Sequence, residues 1–211
     1  VLPILPPDYT ANALFLTGGN ATSQAASAAM AKDYFKATSV GIIHADNAGA
    51  NSTAASLQGA LDVAGIKYVT VKGGDNETDA GFQGLMRQAT EGNPDVIVSL
   101  YSDAGCIGTM RARASLGITT PVITTNICAD KDVIDVVGDD ATGWYFAGLP
   151  EEKDTPERAL LKKLLAPVMG VSEDEVTVAA LGLGGLGYTL WNSLIDYGNK
   201  MVDAEIEMSG Q

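Results

Sequence analysis

Histidine occurs once in the 211 residues, at position 44, so a Ser-His-Asp or Cys-His mechanism would have to pass through it. His44 closes the apolar run Ser39-Val-Gly-Ile-Ile-His44, which makes it the end of a strand, and no serine sits in a nucleophile-elbow motif. No catalytic residue is expected. Cys106 and Cys128, the two cysteines, each fall just past the end of an expected strand, and those strands are neighbours in the expected sheet order. A disulfide is geometrically reasonable and would suit an oxidising, extracytoplasmic compartment; two inert reduced thiols are the alternative. With one histidine and no clustered spacing, neither a metal site nor a cofactor is expected.

Two further motifs carry less than they promise. Gly182-Leu-Gly-Gly-Leu-Gly187 imitates a nucleotide loop, but it follows no strand that opens a βαβ unit and no lysine succeeds it as in a P-loop, so close helix packing is its expected role. Asn20-Ala-Thr, Asn51-Ser-Thr and Asn76-Glu-Thr are glycosylation sequons that suit helix starts and turns equally well, and they are read as caps.

The elements that must position any site alternate two periodicities. Asn20 or Thr22 can cap an alanine-rich helix to about Phe35, followed by a buried strand at 39–44. Leu57, Ala60, Leu61 and Ala64 share a helical face that Gly65 terminates, before a β-rich Tyr68-Val-Thr-Val71. Phe82, Leu85, Met86 and Ala89 recur at i, i+3, i+4 and i+7, and a strand at 96–100 follows Gly92-Asn93-Pro94. Further expectations are a helix over 103–116, a strand at 121–124, a short helix over 131–137 and a strand at 144–147. Strands separated by single helices require parallel crossovers, so the fold class is α/β, a doubly wound parallel sheet with helices on both faces. Beyond Gly148 the pattern becomes helical: Pro156 suits a first turn, Leu160, Leu161, Leu164, Leu165 and Val168 form a stripe, and a last helix carries Tyr188, Trp191, Leu194, Ile195 and Val202.

In an open α/β sheet the loops after the strands converge on ligands. That rule selects His44, Asp46, Asn47 and Gly49 after the first strand; Tyr101, Ser102 and Asp103 after the 96–100 strand; and Thr125 and Asn126 after the 121–124 strand. Each taken alone is a plausible cap or turn. The expected ligand-binding set is Asp46, Asn47, Gly49, Tyr101, Ser102, Asp103, Thr125 and Asn126, one wall of a cleft.

Composition excludes other classes. With 26 acidic and 13 basic residues the net charge is -13, which argues against nucleic acid or anionic lipid as a partner. Apolar stretches such as Val176 to Leu186 are too short and glycine-rich to span a bilayer. The start, Val-Leu-Pro-Ile-Leu-Pro-Pro, lacks a methionine and a signal h-region and is expected to be a cleavage or boundary point with material upstream.

Residues from about Leu14 to Gly148 resemble the second lobe of type I periplasmic binding proteins of the branched-chain amino acid and amide-binding family. The resemblance rests on Leu14-Phe-Leu-Thr17, Gly41-Ile-Ile-His-Ala-Asp46, Leu61-Asp-Val-Ala-Gly65, Asn93-Pro-Asp-Val-Ile97, Arg111-Ala-Arg-Ala-Ser-Leu-Gly117 and Ala141-Thr-Gly-Trp144, in that order. It implies that residues 1–19 are a crossover and remnant of lobe one, 20–148 the second lobe, and 149–211 helices returning to lobe one, with hinges near Thr17 to Asn20 and Gly148 to Pro150. The implied function is the extracytoplasmic solute-binding component of an ABC importer. It would capture a small polar solute such as an amino acid or amide between two lobes, catalyse nothing, and hand its cargo to a membrane permease. The alternative is a ligand-sensing domain of a receptor or regulator with the same fold. Periplasmic or extracellular placement follows, with a lipid anchor upstream as one means of attachment. Some relatives carry a similar cysteine pair, which favours the bridge. Amino-acid binders of the family place an aromatic in the first loop and an acid near the third, whereas Ala48 and Thr125 or Asn126 stand here, so the resemblance does not carry amino acid specificity to this chain unless Asp103 supplies the charge instead. A Rossmann-like enzyme is disfavoured, because His44-Ala-Asp-Asn-Ala-Gly49 lacks a glycine fingerprint.

Overall fold

Runs of β-branched and aromatic residues form five parallel strands in the computed structural model, which describes residues 19–147, 155–176, 180–181, 187, 191–196 and 198–200. The expected strand at Leu14 to Thr17, both expected hinges apart from Gly19 and Asn20, most of the Gly182 to Gly187 run, Tyr188 and Val202 lie outside those residues. The chain divides into two compact units, 1–150 and 151–211.

In the first unit, helix α1 (Gly19–Ala29) continues through one π turn (Met30–Tyr34) into β1 (Ser39–Ala45). Then come α2 (Ala48–Ala64), β2 (Lys67–Gly73), α3 (Asp79–Ala89), β3 (Val96–Ser99), α4 (Ala104–Ser115) and β4 (Val122–Thr125). A 3-10 turn (Asn126–Ala129), α5 (Lys131–Val137), a second 3-10 turn (Gly138–Ala141) and β5 (Trp144–Ala147) complete it. The strands lie in the order β2-β1-β3-β4-β5, so the chain reverses direction across the sheet between β1 and β3. Register pairs Ile43 with Val71 on one side and Ser99 on the other.

Side chains alternate between two layers. Ile43, Ile97 and Val122 face Phe82, Leu85 and Met86 of α3 and Met110 of α4, while Val40, Ile42, Val96, Val98 and Ile123 face Ala28 of α1 and Leu57 and Leu61 of α2. Coverage on both faces explains why β1 and β3 read as unbroken apolar runs. Gly41 is the point of closest approach: a β-carbon there would collide with the Ala89 carbonyl, so the missing side chain lets α3 settle on the sheet. Two polar ties hold the amino-terminal edge of the sheet. The backbone N–H groups and hydroxyls of Thr38 and Ser39 all donate to Asp95 Oδ2 at 2.8 to 3.1 Å. Buried Arg113 donates to the carbonyls of Thr119, Thr120 and Thr142, fastening the segments that lead into β4 and β5.

Most differences from the expected elements are of one or two residues, the range over which helix and strand ends vary. Asn20, one of the two expected caps, lies within α1, where its amide donates to Thr53 Oγ1 of α2 (2.8 Å).

In the second unit, α6 (Pro156–Met169) begins as expected with proline in its first turn; the Thr155 hydroxyl caps it and Gly170 ends it in a left-handed conformation. Ala166, Val176 and Leu181 form a small buried cluster. Leu160, Leu164 and Val168 are exposed along the helix, and 191–196 and 198–200 are helical.

Candidate functional site

The carboxyl ends of β1, β2, β3 and β4 lie at one edge of the sheet, where a concavity of about 520 Å³ opens. It sits at the reversal between β1 and β3, where two helices that start from neighbouring strands point their amino ends in the same direction.

From the β1 loop, Asn47 caps α2 by accepting from the Ala50 N–H (2.8 Å), and its own amide donates to Asp75 Oδ1. The β3 loop supplies Tyr101, Ser102 and Asp103. Asp103 has φ 47° and ψ -121°, the first central position of a type II′ turn that the Gly105 N–H closes onto the Ser102 carbonyl (2.8 Å). Glycine is the usual occupant of that conformation. Although Asp103 stands at the start of α4, its side chain makes no capping bond; its Oδ2 accepts the Ser102 hydroxyl (3.1 Å).

Tyr101 is the floor. Its ring packs edge-to-face on Phe82 (5.4 Å), and its hydroxyl donates to the Gly74 carbonyl (3.2 Å), joining the β2 and β3 loops. Burial, with the charges of Glu77 and Asp75 adding to it, pushes the phenol up to about 12. The ring needs bare backbone on two sides: a β-carbon at Gly73 would stand 2.8 Å from the Tyr101 hydroxyl, and one at Gly105 would stand 2.6 Å from the ring.

The other side of the β3 loop is fixed covalently. Cys106, in the first turn of α4, is bonded to Cys128 in the 3-10 turn after β4, with Cα atoms 5.4 Å apart and both residues fully buried. The bridge seats Ile127, a half-exposed apolar residue, at the rim.

Of the eight residues expected from the strand-end rule, Asn47, Tyr101, Ser102 and Asp103 line the concavity. Asp46, Gly49, Thr125 and Asn126 are at the same edge of the sheet but are not among the lining residues. The carboxylate of Asp46 accepts from Asn51 (3.0 Å) and Lys72 (3.4 Å), and these partners hold it below the usual carboxylate range. His44 is buried in β1, its Nδ1 2.8 Å from the Ala45 carbonyl. Sequence reasoning passed over Asn20, Thr53, Asp75, Asn76 and Ile127, all of which line the concavity. The strand-end rule applied to edge strand β2 selects Asp75 and Asn76, whereas the sequon pattern marks Asn20 and Asn76 only as caps.

Among the described residues that line the concavity none is basic, and two, Asp75 and Asp103, are carboxylates. Among the described residues no group of three or more His, Cys, Asp or Glu side chains could hold a metal ion. The arrangement offers hydrogen-bond acceptors, amides and hydroxyls on an open wall, suited to holding a small solute.

A family model described as periplasmic binding protein matches residues 4–183. Among solved structures, a leucine-binding protein of Thermotoga maritima is 19% identical with a TM-score of 0.64, over 84% of this chain and 49% of that one. A branched-chain amino acid ABC transporter protein of Thermus thermophilus with bound valine is 16% identical with a TM-score of 0.67, over 81% and 44%. A solute-binding protein of an ABC transporter from Rhodopseudomonas palustris, in complex with p-hydroxybenzoic acid, is 20% identical with a TM-score of 0.61, over 78% and 46%. At these identities the likeness is one of fold, and the chain spans a little under half the length of each structure. No curated protein matches the sequence.

Proposed function

The chain belongs to the periplasmic binding protein family, and we propose that it is the second lobe of an extracytoplasmic solute-binding component of an ABC importer. The concavity at the ends of β1 and β3 is then one wall of a cleft. The other wall comes from a first lobe, to which residues 149–211 return. A small polar solute is buried as the lobes close, and the closed form is what a membrane permease recognises. The role is capture and delivery, without catalysis. In this assignment Asn47, Ser102 and Asp103 contact ligand, and Tyr101 supports them from beneath. Asp46, Gly49, Thr125 and Asn126 border the wall and serve its turns.

The single observation that carries the reading is the concavity at the sheet's reversal point, formed by loops of four strands on a fold shared with ABC solute-binding proteins. Among the described residues no helix is long and apolar enough to cross a membrane. The test is a thermal-shift screen of the full-length two-lobed protein against amino acids, amides, urea, polyamines and small carboxylates. A ligand at 100 times its Kd adds about 2.7 kcal/mol to stability. A saturable shift with one chemical class supports the reading and names the cargo; no shift from any class overturns it.

A further inference from the structure

The three glycosylation sequons meet different fates in the fold. None of their asparagines is a helix cap: Asn47 caps α2, Thr78 caps α3, and α1 already includes Asn20. Glycan transfer requires one enzyme site to reach the asparagine amide and the hydroxyl two residues on, from a surface segment. On a helix, residues two apart do not face each other, so a helical sequon cannot present both groups together. Asn20-Ala-Thr22 lies wholly within α1, and Asn51-Ser-Thr53 wholly within α2. Their groups are also engaged. The Asn20 amide donates to Thr53 Oγ1 (2.8 Å), the Asn51 amide to Asp46 Oδ1 (3.0 Å), and the Thr53 hydroxyl to the Gly49 carbonyl (3.0 Å).

Asn76-Glu-Thr78 differs in each respect. It occupies the loop between β2 and α3, and both Asn76 and Thr78 are exposed. Thr78 is extended (φ -72°, ψ 165°), and its oxygen accepts the Gly81 N–H (3.2 Å), which leaves the hydroxyl proton available to donate. Glu77 turns back to accept the Gly74 N–H (2.6 Å), so the middle residue anchors the loop while its two neighbours stay at the surface. Among the described residues no hydrogen bond engages the Asn76 amide. Because β2 is an edge strand, this loop has a neighbouring strand end on one side only. The Cys106–Cys128 bridge in the same unit fits an oxidising, extracytoplasmic compartment, where sequons are read.

We propose that Asn76 is an N-linked glycosylation site. The inference rests on the extracytoplasmic placement proposed above and goes beyond the solute-binding role. The donor is a glycan carried on a membrane lipid through phosphate. Asn76 Nδ2 bonds to the anomeric carbon of the first sugar and gives up one proton. The bond from that carbon to the phosphate oxygen breaks, and the lipid phosphate leaves with the electron pair. Asn76 also lines the concavity, so the glycan stands at its β2 rim, one strand removed from the reversal point between β1 and β3.

The experiment maps tryptic peptides by mass spectrometry in the full-length protein produced in its own host, alongside Asn76→Gln and Thr78→Ser. Cleavage after lysine and arginine separates the sequons: Asn20 falls in the peptide ending at Lys32, Asn51 in 37–67 and Asn76 in 73–87. The expected result is a glycan on 73–87, lost completely in Asn76→Gln and retained in Thr78→Ser, whose hydroxyl still serves both the sequon and the α3 cap. The other two peptides should be bare. A bare 73–87 in the parent, a glycan on Asn20 or Asn51 instead, or a glycan on 73–87 that persists in Asn76→Gln overturns the inference. The same digest, left unreduced, reads the Cys106–Cys128 link. A bare 73–87 with the bridge formed overturns the inference alone, whereas a bare 73–87 with both cysteines as thiols removes the extracytoplasmic placement as well.

Discussion

Replacing both half-cystines, Cys106→Ala with Cys128→Ala, tests whether the bridge acts as a cross-link or only as packing. The two positions are 22 residues apart. In the chain-entropy model, closing a loop of that length removes about 11 cal/mol/K from the unfolded chain, about 3 kcal/mol at 25 °C. Both residues are fully buried in the larger core layer, so truncation also leaves small voids, worth roughly 1 kcal/mol each. The double variant should therefore lose about 3 to 5 kcal/mol in urea-induced unfolding monitored by circular dichroism. The single variants make the test sharp. Either one abolishes the same cross-link, so each should cost about 3 to 4 kcal/mol, and the double should cost no more than about 1 kcal/mol beyond a single. If the two single costs simply add in the double variant, or if the double loses less than about 1 kcal/mol, the cross-link account is refuted.

Arg113→Lys should lose about 2 kcal/mol in the same assay, because one ammonium cannot serve the three carbonyls that the guanidinium reaches; a change under about 0.5 kcal/mol would show those bonds to be idle. Asp95 is held below the usual carboxylate range by the Thr38 and Ser39 donors, so its contribution is present above the unfolded carboxyl value near pH 4 and is lost as pH falls through the lower folded value. A midpoint-against-pH curve should be flatter below pH 4 in Asp95→Asn, and a curve parallel to the parent's would contradict this. Tyr101 carries the opposite sign. Its phenol, raised to about 12, keeps its proton when the unfolded chain has lost it, so stability falls as pH rises from about 10 to 12, and Tyr101→Phe should remove that slope.

Legibility in the sequence followed the locality of the causes. Val40 to Ile43 and Val96 to Ser99 are buried on both faces and read as strands from composition alone, and Gly65 ends α2 in a left-handed conformation, as its position in the pattern suggested. Strand β2 was underestimated because, at the edge, exposed and buried positions interleave from Lys67 to Gly73; its true length is set by pairing with β1, which the local pattern does not contain. The cysteine pair was legible because each cysteine follows the end of one of two neighbouring strands. Within the site, Asn47, Ser102 and Asp103 follow from strand ends. That Asp46 turns to Lys72, or that Asn20 reaches Thr53, depends on partners 26 and 33 residues away and leaves no local trace. Tyr101 was found as a lining residue, but its burial between Gly73 and Gly105 required the packed loops.

The seat of Tyr101 bears on how such a wall can diversify. Its ring and hydroxyl join the β2 and β3 loops; a side chain at Gly105 would press on the Tyr101 ring and Cβ, and one at Gly73 on the Tyr101 hydroxyl and the end of Leu85. Asn76 and Ile127, by contrast, stand at the rim with exposed side chains and no such enclosure. Substitution is thus constrained differently on the two tiers: a change at the floor must be accommodated by Tyr101, whereas a change at the rim meets open space and leaves the loops in place.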